Sequence, residues 1–340
     1  MVQLTWPHQD TDWAPMLDEI TAVYQQMARE ISKREELMIV APKGTQLPQM
    51  ANCRVCYCQS NDTWARDHGF ITVEEPTSDI THHTSDITHQ TSDITHHTSD
   101  IVLLDFKFNG WGEKFEAALD NAINKQLFDK GVVRGRYEDH LDFVLEGGSI
   151  ESDGKGTVFT TSCCLLAPHR NQPLTQQQIE DRLKESLGAE RVVWLNHGSL
   201  IGDDTDGHID TLVRICPNDT ILYTGGDEQH PDLALMEQEL QALRTIDGKP
   251  YRLLKLPLPR PIYEGGEKPE AGSERLPATY ANYLVINGAV LVPTYGQPDL
   301  DQEAMHTIGQ AFPDREIVGI DCRAIIKQHG SLHCCTMQYY

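Results

Sequence analysis

Residues 329–340 read "HGSLHCCTMQYY", with Cys334 and Cys335 side by side near the end of the chain. Four readings are open for such a pair: a disulfide remnant, a metal site, ordinary buried packing, or a nucleophile with a neighbour. Gly330 and Ser331 lie just upstream, a small-residue approach that would let a substrate come near the sulfur of Cys334. A thiol is only slightly ionised at neutral pH, and a nearby imidazolium or bound cation lowers its pKa. The chain holds nine cysteines, an odd count, and its start, "MVQLTWPHQDTDWAP", lacks the basic and apolar regions of a secretory signal. A cytoplasmic protein with reduced thiols is therefore expected.

At 340 residues and 39% hydrophobic content the chain suits one large α/β domain spanning 1–340. Lys and Arg number 28 against 51 Asp and Glu, a formal charge of −23. That balance argues against a nucleic-acid partner and suits a cationic small-molecule substrate, whose local concentration a negative field raises. The most apolar stretch, "YLVINGAVLVP" (283–293), is too short to span a membrane.

Residues 77–101, "TSDITHHTSDITHQTSDITHHTSDI", form a near-perfect seven-residue repeat with one Ile per unit. A coiled-coil heptad needs two apolar positions, so no unit can bury a face. His82, His83, His89, His96 and His97 raise a metal-binding reading. A disordered insertion in a surface turn, between hairpin strands "GFITVEE" and "VLLDFKF", is the simpler expectation. Elsewhere the periodicity predicts amphipathic helices over 13–33, 174–187, 232–246 and 300–312. Strands are predicted at 37–40, 157–160, 211–215, 220–224, 283–287 and 289–293. The segment "CRVCYC" (53–58) has half the spacing of a zinc site with no matching second half, and reads better as a strand.

Three further stretches carry chemistry. In "TWARDHG" (63–69), the Trp64 ring and the Asp67 carboxylate suit a flat cation, which one attracts through its face and the other hydrogen-bonds. An Arg66–Asp67 surface pair beside a core Trp would be the plainer account of that stretch taken alone. In "GDDTDGHIDTLVRI" (202–215), His208 and Asp210 would face one side of an extended chain, imidazole and carboxylate together. In "LEGGSIESDGKGT" (145–157), Glu146 against two glycines reads either as a carboxylate supporting a site or as a turn cap.

Taken in order, "TWPHQDTDW", "NDTWARDHG", "LLDFKFNGWGEKF", "EGGSIESDGKGT", "GDDTDGHID", "ATYANYLVINGAVLVP" and "GSLHCCTMQ" cover nearly the whole chain outside the repeat. As a set they resemble the agmatine deiminase and bacterial-type peptidylarginine deiminase family of guanidine-modifying penteins. The resemblance implies a fivefold pseudo-symmetric α/β propeller with the site in a central channel. It implies hydrolysis of a guanidinium to a urea and ammonia, with no metal and no cofactor. Cys334 matches the family nucleophile, His208 its acid/base, and Asp67 and Asp210 its guanidinium-binding carboxylates. Trp64 matches the aromatic packed on the substrate, Asp204 an acidic position at the substrate's far end, and Glu146 a carboxylate near the histidine. Cys335 sits where the family often has an aliphatic residue, and so should be packing.

The expected substrate is agmatine, whose second charge the acidic run Asp203, Asp204 and Asp206 could receive. Protein-bound arginine is the close alternative, and free arginine lacks an obvious basic partner for its carboxylate. The resemblance is compatible with a homodimer. From another class, a non-enzymatic metal-binding protein would use the histidine repeat and "CRVCYC".

Overall fold

An antiparallel pair of short strands closes through a tight turn, but a third strand lying parallel to its neighbour needs a crossover, usually a helix. The chain makes this unit repeatedly, as seen in a computed structural model that describes residues 1–75, 100–226, 230–265 and 273–340. Strands β1 (Val2–Thr5), β2 (Leu37–Ala41) and β3 (Cys53–Tyr57) belong to the first sheet. The second holds β4 (Ile71–Glu75), β5 (Asp100–Lys107) and β6 (Arg136–Val144). The third holds β7 (Ile150–Ser152), β8 (Thr157–Thr161) and β9 (Arg191–Leu195). The fourth holds β10 (Val213–Cys216), β11 (Thr220–Thr224) and β12 (Arg252–Leu256). The fifth holds β13 (Leu284–Ile286), β14 (Ala289–Thr294) and β15 (Glu316–Asp321).

In each of the last four sheets the first two strands pair antiparallel and the second and third parallel. The first sheet completes the pattern with β16 (Thr336–Gln338), which runs antiparallel to β1 with Val2 opposite Gln338 and Leu4 opposite Thr336. The two ends of the chain thus supply one sheet between them, which closes the ring of five. This is the pentein propeller that the family resemblance implies.

Helices fill the parallel crossovers. Leu17–Ser32 joins β1 to β2 and buries Ile20, Tyr24, Met27, Ala28 and Ile31, one stripe at helical spacing. Fully burying one such aliphatic side chain contributes about 1.5–3 kcal/mol. Gln176–Leu187 starts on a Thr175 capping box and ends at Gly188 in the left-handed region. Pro298–Ala311 starts with proline at its first position, where the missing N–H costs nothing. The largest core cluster joins the first and fifth sheets, with Leu4, Ile39, Leu291, Val292 and Ile320 all excluded from solvent.

The four expected helices and the α/β class are present. The helix expected over 232–246 is Pro231–Ala242, and the strand expected at 211–215 begins at Val213, because residues 209–211 form a 3-10 turn. The segment 53–57 is a strand, as expected in preference to half a zinc site. The expected hairpin around the repeat exists, with Glu75 opposite Asp100. The repeat up to residue 99 lies outside the described residues.

Candidate active site

Tight turns precede β4, β7, β10, β13 and β16, and those turns carry the candidate residues. Asp67 sits in the one-turn helix Ala65–His68 before β4, and Gly148 in the 3-10 turn Gly147–Ser149 before β7. His208 and Asp210 flank Ile209 in the turn before β10, Asn282 precedes β13, and Cys334 lies in the turn His333–Cys335 before β16. Five stretches far apart in sequence therefore deliver their polar groups to one place. All five of these side chains are buried.

Gly148 shows how tightly the groups converge. A Cβ there would lie 2.7 Å from His208 Nδ1, 2.8 Å from Asp67 Oδ1 and 3.2 Å from Asp210 Oδ2. Its own N–H donates to Asp67 Oδ1 at 3.0 Å, while Trp111 Nε1 donates to Asp67 Oδ2 at 3.0 Å. Asp210 Oδ2 contacts His333 Nδ1 at 2.7 Å, and Asp210 Oδ1 is buried with no hydrogen-bond partner. Both ring nitrogens of His208 are likewise without one. Buried polar atoms in native proteins are rarely left this way, so a site with three of them is shaped for a polar guest.

Cys334 borders that guest space. Its Sγ lies 3.4 Å from Asn282 Oδ1 and 4.0 Å from Asp210 Oδ2. Asn282 Oδ1 accepts from the backbone N–H groups of His333 at 2.8 Å and Cys334 at 3.3 Å, which pins the turn. A cavity of about 240 Å³ opens here, lined among others by Asp12, Asp62, Trp64, Asp67, Asp204 and Cys334. Asp62 accepts from the indoles of Trp64 (2.9 Å) and Trp13 (3.0 Å), holding the Trp64 ring in the wall.

The electrostatics are those of carboxyls gathered in a buried place. Burial, then Asp210 and Glu146, push the Asp67 carboxyl well above the usual range. Burial pushes Asp210 up to about 7, although Arg214 and Arg66 pull it back. Burial, then the two aspartates, raise the Cys334 thiol well above its ordinary value. His208 is held well below its own by burial and by Arg170 and Lys114. A positive guest between Asp67 and Asp210 reverses the first three effects together.

The structure brings Trp64, Asp67, His208, Asp210 and Cys334 together, as expected, with Asp204 on the same cavity wall. Two expectations are corrected and two open alternatives are closed. His208 and Asp210 share a side through a 3-10 turn, not through extended chain. Arg66 and Asp67 are no surface pair: Asp67 lines the cavity, while Arg66 is half-buried and its Nη2 donates to Gln338 Oε1 at 3.4 Å. Glu146 caps no turn with its side chain; its Oε1 accepts from buried Arg170 Nε at 2.7 Å. Of the two small residues before Cys334, Gly330 lines the cavity, whereas the Ser331 hydroxyl is spent on Tyr295 at 3.0 Å. A Cβ on Gly330 would fall 2.1 Å from the Trp64 ring, so that glycine lets the indole reach the wall. In the acidic run, Asp203 is used by the backbone of Gly207 and by Thr205, and Asp206 by Lys114 and Arg170. That leaves Asp204 as its member facing the cavity, with its carboxyl raised to about 6, chiefly by burial.

Asn282, Trp111 and His333 were not foreseen, since no local pattern marks them. Cys335 is buried and donates to Ser331 O at 3.4 Å, as packing should. Cys164 lies against Glu146 and His208, and these three could hold a metal ion, their donor atoms lying within 4.8 Å of one another. One of them, Glu146, is already paired with Arg170, and Cys164 does not line the cavity.

Residues 1–339 match the Porphyromonas-type peptidyl-arginine deiminase family. An agmatine deiminase of Medicago truncatula is 32% identical over 98% of this chain and 91% of its own length. A C. jejuni agmatine deiminase, solved as a cysteine-to-serine variant with substrate bound, superposes with a TM-score of 0.84 at 36% identity, covering 99% and 92% of the two chains. A Porphyromonas gingivalis protein provisionally named an arginine deiminase superposes with a TM-score of 0.85 at 47% identity, covering 99% and 94%.

Proposed function

The chain belongs to the Porphyromonas-type peptidyl-arginine deiminase family, and from that premise we propose that it hydrolyses the guanidinium of agmatine to N-carbamoylputrescine and ammonia. The observation that carries the choice of substrate is the cavity wall. It holds Asp12, Asp62, Asp67 and Asp204 and, among the described residues, no Lys or Arg. Agmatine is a dication with a guanidinium at one end and an ammonium at the other. Asp67 and Asp210 take the first, and Asp204 at the mouth takes the second. Arginine carries an α-carboxylate in that region, where it would meet Asp204, the nearby Lys114 ammonium being already engaged by Asp206 and the Asp204 carbonyl.

The chemistry follows from the same groups. Two carboxylates fix the guanidinium plane and turn its carbon toward Cys334, a gain in orientation and proximity. The bound charge lowers the thiol pKa, and the thiol proton passes to His208 as sulfur attacks. A tetrahedral adduct forms, and protonated His208 gives the proton to the departing nitrogen, which leaves as ammonia. An S-alkylthiouronium remains on Cys334. Water attacks it with neutral His208 as base, the C–S bond breaks, and the ureido product leaves with the thiol regenerated. Glu146 and Arg170 form a fixed pair behind His208, and Arg170 favours the neutral imidazole that this second step needs.

A substrate panel tests the reading. Agmatine, free arginine and an internal-arginine peptide are scored for ureido product. Agmatine should lead by at least tenfold in kcat/KM, and Asp204→Asn should raise the KM for agmatine with little change in kcat. The 47% identity to the provisionally named arginine deiminase makes free arginine the second reading. A higher kcat/KM for arginine than for agmatine would replace the first with it.

A further inference from the structure

We propose that His333, the residue before the nucleophile, is a positioning residue that keeps the Asp210 carboxyl correctly turned for the guanidinium and favours its ionised form. The inference rests on the reading that Asp210 clamps the substrate, and it begins from hydrogen-bond polarity. Arg214 Nη2 lies 3.2 Å from His333 Nε2, and a guanidinium can only donate. His333 Nε2 must therefore accept, so the ring proton of a neutral imidazole sits on Nδ1. That Nδ1–H points at Asp210 Oδ2 at 2.7 Å, a hydrogen bond into a carboxylate.

Arg214 is itself locked in place. Its Nε donates to Glu151 at 2.7 Å, its Nη1 to the carbonyls of Ala281 and Tyr283, and its guanidinium lies 4.5 Å over the Tyr283 ring. It is buried, with no freedom to turn away from His333. The relay thus fixes the tautomer from behind and presents one donor in front. Asp210 Oδ2 is occupied by that donor, and the buried, unpartnered Oδ1 is left for a substrate N–H. A carboxylate with one oxygen so held cannot rotate without breaking a bond of about twice the strength of a neutral one.

The other groups bearing on Asp210 cannot replace this function. Arg66 and Arg214 attract it only through space, Glu151 and Asp67 repel it, and Cys334 Sγ approaches at 4.0 Å. Asn282 also favours the ionised form, but its Nδ2 donates to the Asp210 backbone carbonyl at 3.3 Å. His208 has no hydrogen-bond partner and so makes no bond to it. His333 is engaged at both nitrogens, which separates it from His208: it shuttles no proton during turnover. Its burial and the two nearby guanidiniums keep it neutral, the state the relay requires.

The test pairs two variants with a measurement on the unaltered protein. His333→Leu keeps the bulk and removes the donor. The acid limb of kcat/KM should then move up by about one to two pH units, the shift that losing one charge-assisted hydrogen bond produces. His333→Asn places an amide N–H where Nδ1 stood and should bring the limb back to within about half a unit of the original. A merely structural histidine would lower activity without moving the limb, and an unmoved limb in the folded Leu variant overturns the proposal. The second measurement needs no turnover and no stable Leu variant. Nitrogen NMR of histidine-labelled protein, with the His333 signals identified from His333→Asn, should show the neutral Nδ1–H tautomer between pH 6 and 8. An Nε2–H tautomer or an imidazolium there overturns the relay whatever the substrate proves to be. Should the panel fail on agmatine, the limb is read on the guanidine that is turned over.

Discussion

Gly148→Ala adds one methyl group to the point where His208, the proposed acid/base, meets Asp67 and Asp210. Its Cβ would sit 2.7 Å from His208 Nδ1, 2.8 Å from Asp67 Oδ1 and 3.2 Å from Asp210 Oδ2. Ordinary contact is 3.4 Å or more, so these groups must retreat by roughly 0.7, 0.6 and 0.2 Å, or the turn must move. None can retreat freely: Asp67 is held by Gly148 N and Trp111, Asp210 by His333, and His208 is walled in by full burial. Overpacking of this kind costs about 1–3 kcal/mol of stability, which a domain of this size survives. The loss in catalysis is larger, because displacements approaching 1 Å in a positioned site cost about 10²-fold. The expected result is a cooperative unfolding transition lowered by a few degrees, with kcat/KM down by about two orders of magnitude. Gly309→Ala is the matched control. It lies in Pro298–Ala311, where a Cβ meets only Ile317 at 3.6 Å, and the change should raise stability by up to about 1 kcal/mol. Thermal melts and initial rates of ammonia release on both variants read the comparison. A Gly148→Ala enzyme with wild-type kcat/KM would refute the convergence of these three groups as the catalytic centre.

Three other outcomes are expected. Cys334→Ser should abolish turnover while Cys335→Ser keeps most of it, since only the former lines the cavity; equal losses in ammonia release would undo the assignment. Burial raises Asp210 to about 7 and pushes Asp67 well above the usual carboxylate range, so both carboxyls take up protons more readily than free ones as pH falls. A guanidinium favours their ionised forms, so binding should release protons and weaken as pH falls below 7, by about tenfold per unit for each proton released. Calorimetry on Cys334→Ser, in buffers of different ionisation enthalpy, counts those protons at pH 6.5; a count of zero contradicts the picture. Replacing residues 76–99 with a short Gly-containing turn should leave kcat within a few-fold, because Glu75 and Asp100 are already cross-strand partners. A collapse of kcat on agmatine would mean that the segment contributes to the site.

The site was legible wherever a residue's role depends on its immediate neighbours. Cys334 behind a glycine, the His208-x-Asp210 pair and Trp64 three positions before Asp67 each carry their chemistry within a few residues, and each stands in the cavity or beside it. The long helices were equally legible, since an amphipathic stripe such as Ile20, Tyr24, Met27 and Ile31 is written into the chain at its own period. The short turns were not. Residues 208–210 run polar, apolar, polar and read as extended chain, yet Thr211 Oγ1 donates to His208 O at 2.8 Å and bends the chain. That competition between side-chain and ladder hydrogen bonds is decided by which partners lie near, and not by the local pattern.

What the sequence determined by itself is the inventory: a thiol, an imidazole, two carboxylates and an indole, a negatively charged frame, and elements of α/β length. Tertiary structure decided the rest, because the ring closes only when β16 pairs with β1 across the length of the chain. Closure sets the five turns facing one another, and only then does Asn282 meet Cys334 and Arg214 reach through His333 to Asp210. Burial adds the final property. It raises the acids and the thiol and depresses the imidazole, in groups that would titrate normally in water, which is the setting the proposed reaction of a guanidinium requires.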